Sequence, residues 1–484
     1  MNKGGVKTKE LQSARAALAE LDEGKTTVFH RRVLLTSGLG FFTDAYDLFI
    51  IGIALSLIKT QWHPSTLAIS LVSSTALIAS AFGAIFFGRL ADKLGRKKIY
   101  GLEVLLLAGG AIGTAFAPNI WWLIALRAVV GFGVGGDYPV SATIMSEYAG
   151  RKHRGRMVAM VFSMQAVGLI VGPLVAVALL ESGMSHGLIW RIMLALGAVP
   201  ALAVFRLRRQ IHETPRFALA AGDIEHATHA ARRASSATAV AYQPTALKIQ
   251  NKEADSLSVF IHNKRLLRWL IGTASAWFLI DIAFYGNTIS GPIVLKLLNP
   301  HASLVKTTLE TLLIFVVAAA PGYLLAIRRI DTQGRKSIQS IGFLVMALSF
   351  AIIGLVPGIV TAIVPFLALY GISYFFTQYG PNTTTFVVPT ELFPVRLRTT
   401  GHGISAAVGK LGAFIGAFSF PFLLSSIGLA KTELVISVVC LAGVAVTHFM
   451  LPETKGRSLE HISQDALATE QVKTPAVLLS HGSR

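Results

Sequence analysis

Charged side chains are scarce in this chain. Only 14% of its 484 residues are Asp, Glu, Lys or Arg, whereas a soluble protein carries about 25%. Hydrophobic residues make up 53%, and the mean hydropathy is +0.60. Residues 337–390 contain no charged residue, and about 20 apolar residues suffice for one helix to span a bilayer. The composition therefore excludes an ordinary soluble globular protein, and this run alone predicts two membrane-spanning helices with a break near Pro357 and Gly358.

Cysteine is almost absent as well, because Cys440 is the single one. It excludes an intramolecular disulfide and fits no metal-binding spacing. Residues 1–30 mix Lys, Glu, Asp and Arg without an apolar core, so we expect no secretory signal peptide. The sequence contains no convergent nucleophile–base set and no cluster of metal ligands. We therefore expect no enzyme activity, no cofactor and no metal.

Apolar segments of membrane-spanning length recur along the whole chain. Boundaries placed by this pattern are loose by about two to four residues. Twelve spans are predicted, near residues 33–58, 67–90, 98–117, 120–146, 157–180, 188–205, 267–292, 307–327, 337–356, 360–390, 399–426 and 432–451. The chain is thus predicted to be an all-α protein whose main partner is the lipid bilayer.

The net charge of +19 invites a nucleic-acid-binding interpretation, which the positions of the basic residues exclude. They crowd the loops after the even-numbered spans, at 89–98, 151–156, 206–216, 328–336 and 396–398. The alternate loops carry little beyond Lys59, Lys296, Lys306 and Lys431. This is the positive-inside pattern. It predicts that both termini lie in the cytoplasm and that nucleic acid is not a partner.

The two halves of the chain echo one another. "DKLGRKK" at 92–98 returns as "DTQGRKS" at 331–337, and "FFTD" ending at Asp44 resembles "FLID" ending at Asp281. A third echo is a Glu and an Arg seven residues apart, at 147 and 154 and again at 391 and 398. The echoes lie 237 to 244 positions apart. They predict two pseudo-symmetric six-helix bundles, with a substrate site near the midplane between them.

The longest polar interruption, about residues 206–265, separates the two halves. Its Ala-rich, polar composition predicts a short helix and a flexible connector. The predicted domains are a cytoplasmic N-terminal tail (1–30), a first bundle (31–205), a cytoplasmic central loop (206–265), a second bundle (266–452) and a cytoplasmic C-terminal tail (453–484).

Five ionisable residues stand out inside the predicted spans, where charge is costly and usually faces a partner or a cavity, and Asp47 and Glu103 join them at a less certain depth. The five are Asp44, Arg127, Asp137, Asp281 and Lys410. Lys410 lies near the middle of its span, too deep to snorkel to the interface, so we expect an anion beside it. That anion is either a carboxylate of the protein or the cargo.

Trp277, Asp281 and Tyr285 follow one another at intervals of four residues and so share a helix face. This polar stripe is either part of a ligand site or a structural hydrogen-bonding ladder between helices. Gly131, Gly133, Gly135 and Gly136 precede Asp137 and permit close helix approach, which we expect to bring Asp137 near Asp44. Asp137 is predicted to relay protons rather than to be structural. Arg127 either pairs with Asp44 or only holds spans one and four together.

Five stretches together resemble the phosphate:proton symporters of the major facilitator superfamily. The superfamily loop motif is matched by "GRLADKLGRKK" at 88–98. The narrower likeness comes from "GFFTDAYDLF" at 40–49, "GGDYPVSATIMSE" at 135–147, "WFLIDIAFYGN" at 277–287 and "GPNTTTFVVPTELFPVRLRTTGHGISAAVGKLGA" at 380–413. The likeness extends from about residue 33 to the "LPETKGRSLE" segment at 451–460. It implies the major facilitator fold and inward, proton-coupled phosphate transport by alternating access.

The resemblance also implies roles for individual residues. It implies that Asp44 and Asp137 carry the proton, and their charges place Asp281 and Arg127 with them in the predicted proton-relay set. The phosphate set is Tyr138, Gln165, Trp277, Asp281, Tyr285, Asn382 and Lys410. A protonated Asp281 would donate a hydrogen bond to phosphate, whereas an ionised Asp281 would repel it and pair with Lys410. The chain departs from many relatives at Gly286-Asn287, where they have a longer polar run, and this departure leaves anion selectivity open.

The loop motifs are predicted to form cytoplasmic latches that control the conformation without touching substrate. The expected pairs are Asp92 with Arg96, Asp331 with Arg335, Glu147 with Arg154, and Glu391 with Arg398.

Two other functions stay open at this point. One is a proton symporter for another small anion, such as a carboxylate or sulfate. The other is a phosphate sensor without useful flux. A sugar transporter is disfavoured because a neutral substrate gives no reason for a buried Lys410. We further expect a functional monomer, and the short loops and tails favour a bacterial inner membrane.

Overall fold

The chain is helical wherever its structure is described. The computed structural model describes residues 3–235 and 258–467, and that part contains no β-strand. The membrane-length helices are span 1 (Val28–Trp62), span 2 (Thr66–Leu94), span 3 (Leu102–Ala115), span 4 (Ile120–Tyr148), span 5 (Arg154–Leu180), span 6 (His186–Ala195 with Ala198–Arg208), span 7 (Lys264–Leu298), span 8 (Leu304–Ile314, π-helical Phe315–Ala319 and Ala320–Gln333), span 9 (Arg335–Leu355), span 10 (Ile363–Tyr379 with Pro381–Leu392) and a last long helix, Arg398–Met450.

Two glycines bring the number of spans to twelve. Gly428 adopts φ 76° and ψ 169° inside the last helix, a conformation that glycine tolerates without steric cost. It divides that helix into span 11 (398–427) and span 12 (429–450). By length and composition alone, ten helices of the described residues could cross a membrane, and the last of them contains both span 11 and span 12. Span 10 is not among these ten, because Gly380 breaks it into two pieces that are each too short to be counted. The predicted fold of twelve spans is confirmed.

The two halves meet along paired helices. Span 2 packs against span 11, and their backbones approach closely at glycine positions. A Cβ added at Gly88 would meet the carbonyl oxygen of Thr399, and one added at Gly403 would meet that of Ala84. Small residues of this kind permit tight helix contact inside a membrane. Span 5 packs against span 8 and forms the second contact between the halves. The candidate site lies between these two interfaces.

Segments outside the spans also form helices. The predicted N-terminal tail contains a helix, Lys3–Glu23, which packs against the central-loop helix Ile224–Ala234. Its buried Leu18 and Leu21 form part of the main hydrophobic core. Residues 236–257 of the predicted central loop and 468–484 of the predicted C-terminal tail lie outside the described residues.

Candidate substrate and proton-transfer site

Lys410 occupies the centre of the candidate substrate site. Its ammonium group donates hydrogen bonds to Asp281 Oδ2 at 3.2 Å and to the Tyr285 hydroxyl at 2.8 Å. The same nitrogen lies 4.4 Å from the ring centroid of Tyr138 and 4.5 Å from that of Tyr285. Spans 4, 7 and 11 thus surround one cation with a carboxylate and two aromatic faces, contacts that stabilise a desolvated ammonium. The predicted anion beside Lys410 is, in this conformation, Asp281.

A second polar cluster joins the two halves. The Tyr323 hydroxyl of span 8 donates to Gln165 Oε1 of span 5 at 2.6 Å. Asn382 Nδ2 of span 10 lies 3.0 Å from that hydroxyl and 2.5 Å from Gln378 Oε1. Tyr323 also interacts electrostatically with Tyr285. The amide and phenol groups therefore lie near the Lys410 cluster, and together they supply several neutral donors and one cation.

Sequence reasoning missed Tyr323. It follows the π-helical stretch Phe315–Ala319, and such bulges occur frequently at functional sites. The sequence offered a signal, since Tyr323 is a polar aromatic in an otherwise apolar span.

Aromatic rings close the site on the side away from the termini. The ring of Phe49 in span 1 stacks on Tyr285 in span 7 with centroids 5.7 Å apart, and it meets Phe284 edge-on at 5.8 Å. On the opposite side of Lys410, nearer the terminal helices, Trp277 packs against Tyr138 at 6.0 Å. Every predicted phosphate-site residue is at most 3% exposed. The structure therefore represents an occluded conformation.

A second group of charges lies in the first half. Asp137 accepts hydrogen bonds at 2.7 Å from Arg208 Nη2 to both of its carboxylate oxygens, and Arg208 Nη1 donates to Glu103 at 2.7 Å. The Arg208 guanidinium also lies 4.4 Å from the Tyr100 ring centroid. Asp137 is thus firmly paired with Arg208, because a guanidinium forms strong charge-assisted bonds with a carboxylate. Sequence reasoning missed Arg208, which it counted among the topology-setting loop residues.

Asp44 has a different environment. Its side chain is 1% exposed, and neither carboxylate oxygen has a hydrogen-bond partner in the described part of the chain. It lines a cavity together with Asp137 and Glu103. The cavity measures about 10 Å³, roughly the space of one water molecule. The predicted proximity of the two aspartates is therefore observed, with Asp137 paired and Asp44 unpaired.

The glycines of span 4 do not produce this proximity as predicted. A Cβ at Gly131 or Gly135 would meet the backbone of span 2, and one at Gly133 would meet the backbone of span 3. The approach to span 1 depends instead on Gly40, where a Cβ would overlap Asp137 and Arg208. The glycines of span 4 do permit close helix packing, but the helices that they approach are spans 2 and 3.

The predicted pairing of Arg127 with Asp44 is wrong. Arg127 Nη1 bonds Asp47 Oδ2 at 2.5 Å. Spans 1 and 4 run antiparallel, and Asp137 lies level with Gly40, so Arg127, ten residues earlier, is level with the part of span 1 beyond Asp44. The alternative interpretation, that Arg127 holds these two spans together, fits this geometry.

The loop aspartates bind the opposite half of the protein. Asp92 accepts from the backbone N–H groups of Thr399 and Thr400, at 3.3 and 2.6 Å, where span 11 begins. Asp331 accepts from those of Gly155 and Arg156, at 3.1 and 2.8 Å, where span 5 begins. The first turn of a helix has unpaired N–H groups and a partial positive charge, which a carboxylate stabilises. Each aspartate thus caps a helix of the other half and also pairs with its own arginine, Arg96 or Arg335.

Two of the predicted latch pairs are wrong. Glu147 bonds Arg96 at 3.1 Å and Arg398 at 2.9 Å, not Arg154. Glu391 bonds Arg335 at 2.8 Å, not Arg398. Arg154 begins the next helix after a chain reversal, and its side chain reaches Asp22 at 3.3 Å. Because Glu147 and Arg398 belong to different halves, their bond crosses the interface and closes the end that carries the termini.

A further repeat, missed in the sequence, supports these arginines. Glu213 accepts from the backbone N–H of Arg96, and Glu453 accepts from that of Arg335. The two glutamates lie 240 positions apart, within the interval of the other echoes, and each is followed by a Thr. Comparing "HETPR" with "PETKG" at this offset would have identified them.

Outside the spans, Arg216 of the central loop connects three segments. It bonds Asp22 of the N-terminal helix at 2.7 Å and Glu460 of the C-terminal helix, Leu459–Leu467, at 2.8 Å. Burial would raise the pKa of Glu460, but the Arg216 guanidinium outweighs burial and lowers that pKa to about 2. These contacts hold the terminal helices onto the closed end.

Neutralising Glu147 is expected to open this end of the protein. In Glu147→Gln, Arg96 and Arg398 lose their shared anion, and breaking a buried ion pair costs about 3 to 5 kcal/mol. Spin labels at Lys93→Cys and Thr332→Cys, both exposed and in different halves, report the separation by pulsed electron paramagnetic resonance. Cys440 is buried, so it does not compete for the label. We expect a longer-distance population in Glu147→Gln and none in the exposed control Glu225→Gln. Identical distance distributions in both variants would contradict the latch.

The fold and the site together define a two-bundle membrane transporter of the alternating-access type. The profile of the sugar (and other) transporter family matches residues 33–466. The chain is 36% identical to inorganic phosphate transporter 1-6 of Oryza sativa subsp. japonica, over 98% of this chain and 99% of that protein. It is 35% identical to probable inorganic phosphate transporter 1-6 of Arabidopsis thaliana, over 95% and 98% of the two chains.

Solved structures show the same fold. A proton:xylose symporter of the major facilitator superfamily, bound to 6-bromo-6-deoxy-D-glucose, matches with a TM-score of 0.76 and 21% identity, over 90% of this chain and 99% of that one. The xylose transporter of E. coli in a partially occluded inward-open conformation matches with a TM-score of 0.68 and 20% identity, over 89% and 100%. The chain belongs to the major facilitator superfamily and, within it, to the family of the inorganic phosphate transporters.

Proposed function

We propose that this protein carries inorganic phosphate inward across a membrane together with protons, by alternating access between its two bundles. The observation that carries the proposal is the buried Lys410 with its phenol and amide neighbours. Dihydrogen phosphate presents several acceptor oxygens and one negative charge, so a site for it needs a cation and several neutral donors. Lys410 supplies the cation, and Tyr138, Tyr285, Gln165, Trp277 and Asn382 supply the donors. We add Tyr323 to this set.

Asp281 couples phosphate binding to a proton. In the occluded conformation it binds Lys410 at 3.2 Å and so occupies the cation that phosphate needs. Protonation of Asp281 removes this competition and turns the carboxyl into a hydrogen-bond donor. Phosphate and a proton therefore bind together, and the loss of either favours the re-formed Asp281–Lys410 pair.

Asp44 and Asp137 form the proton relay in the first half. Asp44 has no hydrogen-bond partner among the described residues, and an unpaired carboxylate inside a membrane is costly, so Asp44 holds the proton in this conformation. Asp137 is paired with Arg208 and accepts that proton when the guanidinium moves away. Arg127 does not contact Asp44 or Asp137. It positions them indirectly, because its bond to Asp47 fixes span 1 against span 4.

The basic loops set the proposed orientation. They lie at the end that carries the described terminal helices, Lys3–Glu23 and Leu459–Leu467, which by the positive-inside pattern faces the cytoplasm. The latches therefore close the cytoplasmic side. The polar groups of the described site are hydrogen-bond donors around one cation, and they include no nucleophile paired with a base. Such a site suits transport rather than enzyme catalysis. The type of membrane stays a prediction: the short loops favour a bacterial inner membrane, whereas the relatives named above are plant proteins. A functional monomer also stays a prediction.

Phosphate uptake into proteoliposomes tests the proposal. We expect the purified protein to accumulate radiolabelled phosphate when the lumen is alkaline relative to the outside, and to stop when the gradient is collapsed. Protein-free liposomes are the control. Accumulation of sulfate or a carboxylate in place of phosphate would support proton-coupled transport but would contradict phosphate as the substrate. Phosphate binding without accumulation would favour a sensor instead.

A further inference from the structure

Glu433, near the start of span 12, is a buried acidic residue that the proposed cycle does not use. Its side chain is 0% exposed, and neither carboxylate oxygen has a hydrogen-bond partner among the described residues. An ionised group in this position is costly, by about 2.5 to 3.5 kcal/mol on insertion scales, and such residues commonly mark an ion or proton path.

No cation faces Glu433 from the described elements around it. Span 10 presents the phenols of Tyr370 and Tyr374, and span 12 itself presents the thiol of Cys440. Span 9 has no ionisable residue within 337–355, and span 11 has none within 411–427. The basic residues near the ends of these helices, Lys296 and Lys431, are exposed. Glu433 is therefore not one half of an ion pair.

The polar group that faces Glu433 is the side-chain amide of Asn287 in span 7. Asn287 Nδ2 donates to the carbonyl of Ala283 at 3.2 Å, while its Oδ1 lacks a donor. A protonated Glu433 supplies the O–H donor that this oxygen lacks, and a carboxylate does not. Protonation of Glu433 therefore satisfies the Asn287 oxygen, whereas an ionised Glu433 can only accept from the second N–H of Asn287 Nδ2.

The position of Glu433 connects it to the substrate site and to the outside. Asn287 lies six residues beyond Asp281 on the same helix, about 9 Å along its axis. Span 10 holds this part of span 7, since Tyr370 donates to the Asn287 carbonyl at 3.1 Å and Tyr374 to Thr288 Oγ1 at 2.9 Å. Glu433 also lies only five residues, about 7.5 Å, from the Gly428 turn at the end opposite the termini.

We propose that Glu433 is a second proton-binding site of the C-terminal half, which exchanges one proton with the external solution in each transport cycle. When the outer end opens, span 7 separates from span 1 of the other bundle and water reaches the carboxyl past Asn287. The proton then leaves to water, or returns from it, and closure favours the protonated form, which satisfies the Asn287 oxygen. Proton binding here rests on the local geometry, and only its coupling to phosphate rests on the proposed function.

Infrared difference spectroscopy of the purified protein in lipid tests proton binding without transport. We expect a C=O stretch of a protonated carboxyl in the wild type that titrates with pH and is missing in Glu433→Gln. The exposed Glu181→Gln, at the same end, is the control and should retain the band. A Glu433 band that does not respond to pH, or no band assignable to Glu433, would overturn the proposal. So would stabilisation of the wild type by Na⁺ that Glu433→Gln abolishes.

Coupling is tested by the proton-to-phosphate ratio in proteoliposomes, measured from proton and phosphate fluxes in parallel. We expect the ratio to fall by one in Glu433→Gln while phosphate still enters, and to stay unchanged in Glu181→Gln. An unchanged ratio in Glu433→Gln would contradict the coupling and leave Glu433 with a structural role only. If the wild type moves no phosphate, the proposed function fails, and the infrared titration still decides whether Glu433 binds a proton.

Discussion

Replacing Asp44 with asparagine is expected to abolish uphill phosphate accumulation while phosphate exchange continues. Asn mimics a permanently protonated Asp44, so the substrate site still forms, but Asp44 never releases its proton and the empty carrier cannot return, whatever protons Asp281 and Glu433 bind. A gradient of one pH unit stores about 1.4 kcal/mol per proton, which corresponds to roughly tenfold accumulation for each proton coupled. Asp44→Asn should lose this accumulation entirely. The measurement compares gradient-driven uptake with counterflow of labelled phosphate in the same proteoliposomes, at a membrane potential clamped to zero.

The environment of Asp44 makes this variant suitable. Neither oxygen of its carboxylate has a partner among the described residues, so Asn breaks no hydrogen bond and should fold. Asp223→Asn is the matched control, because Asp223 is exposed and caps the helix Ile224–Ala234, and Asn caps equally well. Asp137→Asn should also lose uphill uptake, but with a stability cost, since it weakens the bond to the buried Arg208. Full gradient-driven accumulation by Asp44→Asn would overturn its role as the proton carrier.

The spans were predictable because bilayer thickness imposes a length that the apolar runs reveal directly. The structure places a helix at each predicted span, and the prediction of a break near Pro357 and Gly358 agrees with the end of span 9 at Leu355. The helix Lys3–Glu23 was not predicted. Its polar, Ala-rich sequence has only a narrow apolar face, and that face is defined by contact with Ile224–Ala234, far away in the sequence.

Residues on one helix face were easier to predict than partners on different helices. The interval of four residues placed Asp281 and Tyr285 on one side of span 7, and both contact Lys410. The partner of Asp137 was not predictable in this way. Arg208 belongs to a basic run that the positive-inside pattern explains equally well, and only the packing of span 6 against spans 1 and 3 distinguishes it from its neighbours Arg206 and Arg209.

The latch errors have one physical origin. Sequence reasoning paired each glutamate with an arginine nearby in the chain, whereas the structure pairs Glu147 with Arg398 of the opposite half. Asp92 and Asp331 likewise cap helices of the opposite half. Contacts between halves exist only while one end is closed, so they bias the conformational equilibrium. Contacts within a half would persist in both conformations and would therefore not shift the equilibrium between them.

Replacing Lys410 with glutamine is expected to weaken phosphate binding by on the order of 100-fold. The ammonium is the one cation that contacts the polar side chains of the described site. Hydrogen bonds to charged groups contribute about 1.5 to 3 kcal/mol each. A loss of about 3 kcal/mol corresponds to a roughly 100-fold increase in the dissociation constant. Equilibrium binding of radiolabelled phosphate to the purified protein measures the change. Lys410→Arg should retain more affinity than Lys410→Gln, since it keeps the charge although its geometry differs.

Asp281→Asn separates the two effects of this ion pair. It keeps the Lys410 cation and removes its internal competitor, so phosphate should still bind, and the affinity should depend less on pH than in the wild type. If Lys410→Gln bound phosphate as tightly as the wild type, the cation would serve only to neutralise Asp281. The phosphate site would then have to be sought among other polar groups between the halves. Weak binding in Lys410→Gln together with retained binding in Asp281→Asn would instead assign the anion to Lys410 and the proton to Asp281.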